Sequence, residues 1–508
     1  MTSFSLSSRS KDFILFCLFF LLYCCIYAVV TFRFGMVMEE VHEGVTVHHQ
    51  MYISNMRWGV ALWRGIFGFG ALPLVSGMIA GVAISLSILI QTKIFGIHAL
   101  RFKLAYAVIY LSGIQWLYQL VYSNQSDVVA LSFLACSIAV YLGKFREGWV
   151  RCIVPGVLFT FAISCYQSSV IYAVVLSIAT YMVALLNGNA SVYKGLVKPF
   201  IVLIIALMAW WIVAKLLCLT SLTSDSMNKS VASYQHEMIR WSRLEGLSLS
   251  LQLRCIFRYF VTVPLSHIFG CNHPCQWVYT SALLPTALIL LNLWKTVSWR
   301  KFVGVTVLLL IILYLPFAMG AIFVAALPQR VLVAEPLAAA CIWGIYFSGS
   351  RQLRIFNSWY WCTFLVFCVI SAVYAVAAYA RTERYCYERA KEELLLMHAR
   401  GMESARAAGL QECKIILFGD YGGAEIDDYY MNSKSLHLHS VHPHITSGGR
   451  AWIPAYAQYL RLPYLQVATE DDVARHSQVV DAMPSWPSIG SVSVHNGDVI
   501  IKIGSSAR

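Results

Sequence analysis

Residues 13–32 read FILFCLFFLLYCCIYAVVTF, an apolar run of 20 residues without a charge. A hydrocarbon core about 30 Å thick is crossed by about 20 helical residues, so this run predicts a membrane span. Arg9 and Lys11 precede it, and it is too long for a removable signal peptide and lacks a small-residue cleavage site. We therefore predict a retained first helix with its N-terminus in the cytoplasm.

The rest of the chain has the same apolar character. Of the 508 residues, 59% are hydrophobic and 12% are charged, whereas a soluble domain carries about 25% charged residues. We expect about eleven spans, or as few as nine, because three runs are short and the two that meet at Tyr166 could form a re-entrant hairpin. The further runs lie near residues 69–91, 104–122, 128–143, 152–165, 170–186, 199–219, 276–294, 302–326, 331–348 and 359–379.

The net charge of +13 falls in short basic clusters between apolar runs. Such clusters set membrane orientation and do not form a nucleic-acid surface, so we expect no nucleic-acid partner. With the N-terminus inside, the clusters occupy alternate loops, for example Lys93, Arg101 and Lys103, while the short outer turns almost lack Lys and Arg. This positive-inside pattern places loops 33–68 and 221–276 and the C-terminal tail outside.

Two domains are predicted: a transmembrane domain of residues 1–380 and a small outer α/β domain of residues 381–508. The tail opens with a helical pattern and continues with the strand-like CKIILFGDY at residues 413–421. Near the end, Asn496-Gly497 lies between two β-rich runs and predicts a terminal hairpin. Residues 251–270, LQLRCIFRYFVTVPLSHIFG, are amphipathic and predict a helix on the membrane surface.

The first outer loop carries the main chemical candidates. Glu39, Glu40 and Glu43 follow the first span, and Arg57 and Trp58 precede the second. Carboxylates near a membrane surface suit a general base or a divalent cation, and an arginine suits a phosphate. The alternative is an ordinary solvated polar loop.

Other polar residues lie at the predicted turns. Asp127 begins a helix, where it either serves chemistry or caps the helix and meets its dipole. Tyr166 and Gln167 lie where two half-length spans meet, and either line a cavity or satisfy broken backbone hydrogen bonds. Arg330 either pairs with Glu335 or faces a lipid phosphate.

Metal and cofactor signals are weak. The tail contains HLHSVHPH at residues 437–444, but neither Cys nor an HExxH helix accompanies it. We therefore predict no metal and no cofactor, with a divalent cation left open at the outer-loop carboxylates. Walker, GxGxxG and GxSxG motifs are absent, which excludes the usual nucleotide and hydrolase signatures. Cys271 with Cys275, and Cys386 with Cys413, are candidate disulfides in an oxidising compartment.

Several motifs carry a family resemblance when taken in order. They are the acidic pair at residues 39–40, NMRWG at 55–59, SNQSDVVALSFLACSIAVYL at 123–142, CYQSSVIYAVVL at 165–176, LPQRVLVAEPLAAA at 327–340 and DAMPSWPSIGSVSVHNGDVIIKIG at 481–504. Together they resemble the bacterial and phage-encoded O-antigen glucosyltransferases that convert serotype, multi-spanning membrane enzymes of the GT-C kind. The chain departs from that pattern at Met56, where relatives commonly have Gly, and in its Glu-Glu pair, where many have Asp.

The resemblance implies a glycosyltransferase reaction. Glucose would pass from undecaprenyl phosphate-glucose to a sugar of the lipid-linked O-antigen repeat at the periplasmic face, with inversion. Glu40 or Glu39 would be the general base, Arg57 or Arg330 would stabilise the leaving phosphate, and Asp127 would bind acceptor hydroxyls or orient a metal. The aromatic rings that stack against the sugars would be those of Trp58, Trp63 and Tyr166.

The resemblance also implies partners and a location. The partners are undecaprenyl phosphate-glucose, lipid-linked O-antigen, membrane lipids, a separate flippase and an enzyme that synthesises the donor. The location is the bacterial inner membrane, with a periplasmic C-terminal domain. The alternatives are a polyisoprenoid-sugar transporter or flippase, which should show inverted halves and deep charges, an acyltransferase with a membrane-embedded His, and an O-antigen polymerase. Arg240, Arg243, Arg254 and Arg258 keep the polymerase as the runner-up.

Overall fold

The computed structural model of the chain describes residues 8–31, 49–67, 73–188, 194–220, 248–269, 276–294, 296–323, 329–349, 359–419, 457–458 and 460–504. These residues divide into two compact units. The first contains the described residues up to Ala377, and the second contains those from Ala378 onward.

The regular secondary structure of the first unit is helical throughout its described residues. Its α-helices are α1 (Ser8–Thr31), α2 (His49–Ser54), α3 (Trp58–Phe67), α4 (Pro73–Ile94), α5 (Leu100–Leu111), α6 (Ile114–Leu120), α7 (Ser123–Phe145), α8 (Ile153–Cys165), α9 (Ser169–Leu186), α10 (Lys194–Leu219), α11 (Leu249–Phe257), α12 (Val263–Phe269), α13 (Gln276–Thr280), α14 (Leu283–Trp294), α15 (Trp299–Tyr314), α16 (Ala318–Phe323) and α17 (Ala334–Ser348). A final helix, α18 (Trp359–Ala407), begins here and continues into the second unit. Residues 258–262 join α11 to α12 as a π-helical turn, so the segment predicted to be one amphipathic helix is helical from Leu249 to Phe269.

Nine segments of the described chain are long and apolar enough to cross a membrane. They correspond to α1, α4, α7, α8 with its preceding turn, α9, α10, α13 with α14, α15 with α16, and the first part of α18. The predicted polytopic helical fold is therefore confirmed, at the lower end of the expected number of spans.

The predicted span at residues 104–122 is not one continuous helix and is not among these nine segments. The helix breaks between α5 and α6, where Gly113 is extended with φ −71° and ψ 126°. A side chain at Gly113 would bring its Cβ within 2.4 Å of the Cβ of Pro336, so only glycine fits this approach. The hydroxyl of Tyr27 donates to the carbonyl of Leu111, which the break leaves without a helical donor.

The predicted span at residues 331–348 is not among the nine segments either. It is made of the 15-residue helix α17 and the end of the short 3-10 turn that precedes it. From Ala334 to Phe347 every residue is buried, and the helix packs against α5 and α9. A helix that is apolar on all sides and surrounded by other helices belongs to the protein core, and its hydropathy alone resembles that of a span.

The second unit has a four-stranded sheet. Its strands are β1 (Ile415–Phe418), β2 (Leu465–Val467), β3 (Val492–His495) and β4 (Asp498–Lys502), in the order β2-β1-β4-β3. Strand β1 is parallel to β2 and β4, and β3 is antiparallel to β4. The predicted hairpin is present, with Asn496 at φ 53° and Gly497 at φ 84°, as a type I′ turn requires.

Side chains alternate across this sheet and build two cores. Ile415 and Leu417 face a core that includes Leu394 and Met397 from the end of α18. Ile416 and its neighbours on the opposite face pack with Val480 of helix α19 (Glu470–Ala482). The period of two along β1 therefore places the sheet between two helical layers.

Two predictions about the tail have different outcomes. Cys413 is a free, buried thiol, so the candidate disulfide with Cys386 is wrong. Cys271 and Cys275 and the histidine segment 437–444 lie outside the described residues.

Candidate functional site

A tight turn between α2 and α3 positions the first functional side chain. The backbone N–H of Arg57 donates to the carbonyl of Tyr52 at 2.7 Å, and that of Met56 donates to Ile53 at 2.9 Å. This bond pair is a Schellman motif, which needs a left-handed residue at its penultimate position. Met56 takes that role with φ 59°, although its Cβ disfavours the conformation.

The same turn is held by two side chains from other helices. The indole N–H of Trp210, on α10, donates to the carbonyl of Met56 at 2.9 Å. The amide of Gln167 donates to the carbonyl of Asn55 at 2.9 Å. The turn is therefore hydrogen-bonded to α10 and to the break between α8 and α9. These bonds fix the position of the Arg57 backbone.

Arg57 lies at the centre of a polar cluster. Its Nε donates to Oε1 of Gln167 at 3.2 Å, and its Nη1 donates to Oε1 of Gln125 at 3.1 Å. The guanidinium carbon lies 5.5 Å from the ring centroid of Tyr166, in cation–π range. The two amide oxygens and the ring orient the guanidinium without neutralising it. Within the described part of the chain, no carboxylate forms an ion pair with Arg57.

Asp127 follows Gln125 by two residues on α7, but its environment differs from that of Arg57. Arg64 donates to it from Nη1 to Oδ2 at 2.9 Å and from Nη2 to Oδ1 at 2.6 Å. The indole N–H of Trp63 donates to Oδ2 at 3.0 Å. Arg64 and Asp127 are both buried. Both carboxylate oxygens are thus engaged by α3, and the helix cap is Tyr122, so the capping interpretation of Asp127 is wrong.

Helix α3 approaches α8 very closely, which brings these elements together. A Cβ on Gly59 would lie 2.3 Å from Oγ of Ser164 and 2.8 Å from Sγ of Cys165. Immediately after Cys165 the chain is extended at Tyr166, with φ −154° and ψ 114°. Because Gly59 has no side chain, α3 can lie against the end of α8, and Arg57 can reach Tyr166 and Gln167 in the break between α8 and α9.

The structure brings together Arg57, Tyr166 and Gln167, each predicted separately from the sequence. Trp58 follows them on the first turn of α3 and is half-buried, and its indole N–H is buried without an acceptor among the described residues. Gln125 belongs to the cluster but was missed, because an uncharged amide at a helix start carries no distinctive signal.

The other predicted residues are not joined to this cluster by the described structure. Glu39, Glu40 and Glu43 lie outside the described residues. The backbone of Arg330 lies in a short 3-10 turn, Gln329–Leu332, that packs against α6, and its side chain is likewise outside the description.

A second polar cluster was not predicted. His267 Nδ1 lies 2.9 Å from Oε1 of Glu335, and Gln115 donates to the other carboxylate oxygen. Burial tends to lower the pKa of His267, but the charge and hydrogen bond of Glu335 outweigh it and raise that pKa above 6.5. The sequence left open an ion pair between Glu335 and Arg330. Among the described residues, the partners of Glu335 are His267 and Gln115. A lone histidine on an amphipathic helix gave no signal.

Metal coordination has no candidate in the part of the chain that the structure covers, where no three His, Cys, Asp or Glu side chains group suitably. The chemistry available at this cluster is therefore that of a guanidinium that is oriented by neutral side chains and that pairs with no described carboxylate. Such a guanidinium can bind a carboxylate or a phosphate group.

The comparison with protein families agrees with the resemblance seen in the motifs. Residues 43–348, more than half of the chain, match the family described as glucosyl transferase GtrII. The chain belongs to this family and is a glycosyltransferase embedded in a membrane through its apolar helices. Searches of curated proteins and of solved structures gave no match. The matched range includes Arg57, Asp127, Tyr166, Gln167 and Glu335.

Proposed function

We propose that the chain transfers glucose from undecaprenyl phosphate-glucose to a sugar of the lipid-linked O-antigen repeat. The reaction takes place at the periplasmic face of the inner membrane and inverts the anomeric centre. The observation that carries this proposal is the contrast between Arg57 and Arg64. Arg64 is neutralised by Asp127, whereas the partners of Arg57 among the described residues are neutral amides and a ring.

Arg57 suits the leaving group of this reaction. When the acceptor hydroxyl attacks the anomeric carbon, the bond from that carbon to the phosphate oxygen breaks, and negative charge develops on the lipid phosphate. A guanidinium already fixed by Gln125 and Gln167 needs no reorganisation to meet that charge. Its remaining donors form the fork that binds phosphate oxygens best.

The base that removes the acceptor proton is Glu40 or Glu39, as the family resemblance implies. Asp127 is then a positioning residue, since its two oxygens are occupied by Arg64 and Trp63. It anchors α3, the helix that follows Arg57, to α7. Tyr166 supplies a ring beside the guanidinium. Trp58, the residue after Arg57, supplies a second aromatic side chain for stacking against a sugar.

The test is mass spectrometry of O-antigen from cells that express the full chain or its variants. The wild-type protein is expected to add one hexose to each O-antigen repeat. A polymerase would instead change the number of repeats, and a flippase would change neither the mass of the repeat nor the number of repeats. Arg57→Gln is expected to lower the transfer rate by about 100-fold, the usual effect of removing one charge-stabilising donor, and Arg57→Lys to recover part of it. Arg146→Gln, an exposed cation at the other end of α7, is the control. Undiminished transfer in Arg57→Gln would refute the phosphate role.

The base and the orientation need separate tests. Glu39→Gln and Glu40→Gln are expected to differ, with one of them abolishing transfer, and full activity in both would reject the assignment. Reporter fusions between residues 33 and 48 are expected to show a periplasmic location. A cytoplasmic location would overturn the proposed mechanism.

A further inference from the structure

A cavity of about 320 Å³ lies at the opposite end of α7 from Arg57. Ligand sites usually have volumes of about 300–1,000 Å³, so its size is sufficient for a small headgroup. Its walls come from the end of α7, the start of α8, the second half of α9 and the start of α10. Gln125 and Lys144 are separated by about 28 Å of helix, at 1.5 Å per residue. The cavity is therefore about one membrane thickness away from the Arg57 cluster.

Three cations from three different elements line this cavity. They are Lys144 on α7, Arg151 before α8 and Lys198 on α10. The described lining contains no Asp or Glu, and none of the three forms an ion pair with a described carboxylate. Lys144 is half-buried and donates to the backbone carbonyl of Ile94, so it is fixed in place without being neutralised.

The remaining walls are mainly apolar. Pro155, Phe159 and Val202 contribute hydrocarbon surface, and Ser177 and Thr180 contribute hydroxyls. Free inorganic phosphate would gain nothing from the apolar walls, whereas a lipid would place acyl or prenyl chains along them. Basic pockets between membrane helices are known to bind anionic lipid headgroups in this way.

We propose that this cavity binds the phosphate of an anionic lipid in the leaflet opposite the transfer site. The phosphate lies among Lys144, Arg151 and Lys198, and the hydrocarbon chains lie against Pro155, Phe159 and Val202. Phosphatidylglycerol and a polyprenyl phosphate share this chemistry, and the experiment separates them.

The test is native mass spectrometry of the full-length protein in detergent, titrated with dioleoyl phosphatidylglycerol, undecaprenyl phosphate or dioleoyl phosphatidylcholine. At least one of the two anionic lipids is expected to bind at least tenfold more tightly than the zwitterionic lipid, and the one that binds more tightly identifies the source of the phosphate. Each of the variants Lys144→Gln, Arg151→Gln and Lys198→Gln is expected to weaken the binding of that anionic lipid about fivefold. Arg146→Gln removes an exposed cation from the same end without touching the cavity lining and should change binding by less than twofold.

A volume variant tests the cavity independently of charge. Gly143 lines the cavity, and a Cβ there would meet nothing within 4 Å, so Gly143→Leu should fold and fill the space with all three cations retained. It is expected to weaken anionic-lipid binding at least fivefold. Equal losses in Arg146→Gln and Arg151→Gln, unchanged binding in Gly143→Leu, or displacement of the lipid by equimolar inorganic phosphate would each overturn the proposal.

Discussion

Arg64 and Asp127 form a two-bond ion pair in the interior, with Nη1–Oδ2 and Nη2–Oδ1 distances of 2.9 Å and 2.6 Å. The pair joins α3 to α7 and leaves neither carboxylate oxygen open. Arg57, seven residues earlier in the sequence, has a different environment, because its contacts among the described residues are with neutral groups. Two arginines seven residues apart thus differ in their described partners, and we propose that the first binds the donor phosphate while the second joins two helices.

Breaking the buried pair should be costly. Asp127→Asn leaves the buried Arg64 without its counter-ion and is expected to destabilise the protein by about 3–5 kcal/mol. The double variant Arg64→Met with Asp127→Leu removes both charges and should recover most of that loss. Thermal unfolding in detergent measures the effect. A double variant as unstable as Asp127→Asn would mean that the pair is not the main connection between these helices.

Activity in the same variants distinguishes positioning from catalysis. If Asp127 only anchors α3, the double variant should retain measurable glucosyl transfer while Asp127→Asn loses it together with stability. Transfer per folded molecule is the quantity to compare, with fluorescence-detected size-exclusion to count folded protein. A fully folded but inactive double variant would assign the Arg64–Asp127 pair, rather than its anchoring of α3, to the chemistry.

Gln167→Glu should disable Arg57 without removing it. The new carboxylate would lie at the position of the amide that now meets Nε of Arg57 at 3.2 Å, and would neutralise the guanidinium. The KM for the lipid-phosphate donor is expected to rise about tenfold, since an ion pair must be broken before phosphate binds. Gln125→Glu is the matched variant on the other side and should act in the same direction. An unchanged KM in both would argue against donor binding at Arg57.

Met56→Gly should stabilise the turn. Met56 has φ 59°, a conformation that costs about 1–2 kcal/mol for a residue with a Cβ and almost nothing for glycine. We expect the thermal midpoint of Met56→Gly to exceed that of Met56→Ala, which keeps the Cβ, by a few degrees. Equal midpoints would indicate that the flexibility of glycine in the unfolded chain cancels the gain.

The contribution of His267 to stability should depend on pH. Its pKa is raised in the folded protein by Glu335, so protonation strengthens the folded state. The stability difference between wild type and His267→Gln should be complete below pH 6.5, the ordinary value, and should disappear as pH rises through the higher folded pKa. Thermal unfolding between pH 5 and 8 measures it. In a Glu335→Gln background the sign of the dependence should reverse, because the burial that lowers the pKa of His267 is then no longer outweighed by Glu335.

Apolar length predicted most spans because the bilayer imposes one length on all of them. It failed at residues 104–122, where the break is caused by contacts distant in sequence, namely Gly113 against Pro336 and the hydroxyl of Tyr27 on the freed carbonyl. It also failed at α17, because hydropathy does not distinguish burial by lipid from burial by protein.

For the candidate site, the sequence indicated residues at turns, where functional side chains concentrate, and so included Arg57, Tyr166 and Gln167, which the structure places together. Their convergence depends on Gly59, whose missing side chain lets α3 lie against α8. Arg64 was missed, although a charge within the apolar WGVALWRGIF is itself a signal that a counter-charge lies nearby.

The hydrogen bonds from Arg57 to Gln125 and Gln167 have a consequence for how the activity of the enzyme depends on the acidity of its surroundings. Neither amide can gain or lose a proton in the range where proteins stay folded, and an arginine remains cationic throughout it. Capture of the sugar donor should therefore be indifferent to the acidity of the surroundings. Any optimum in the acidity profile of turnover then reports the group that takes the acceptor proton.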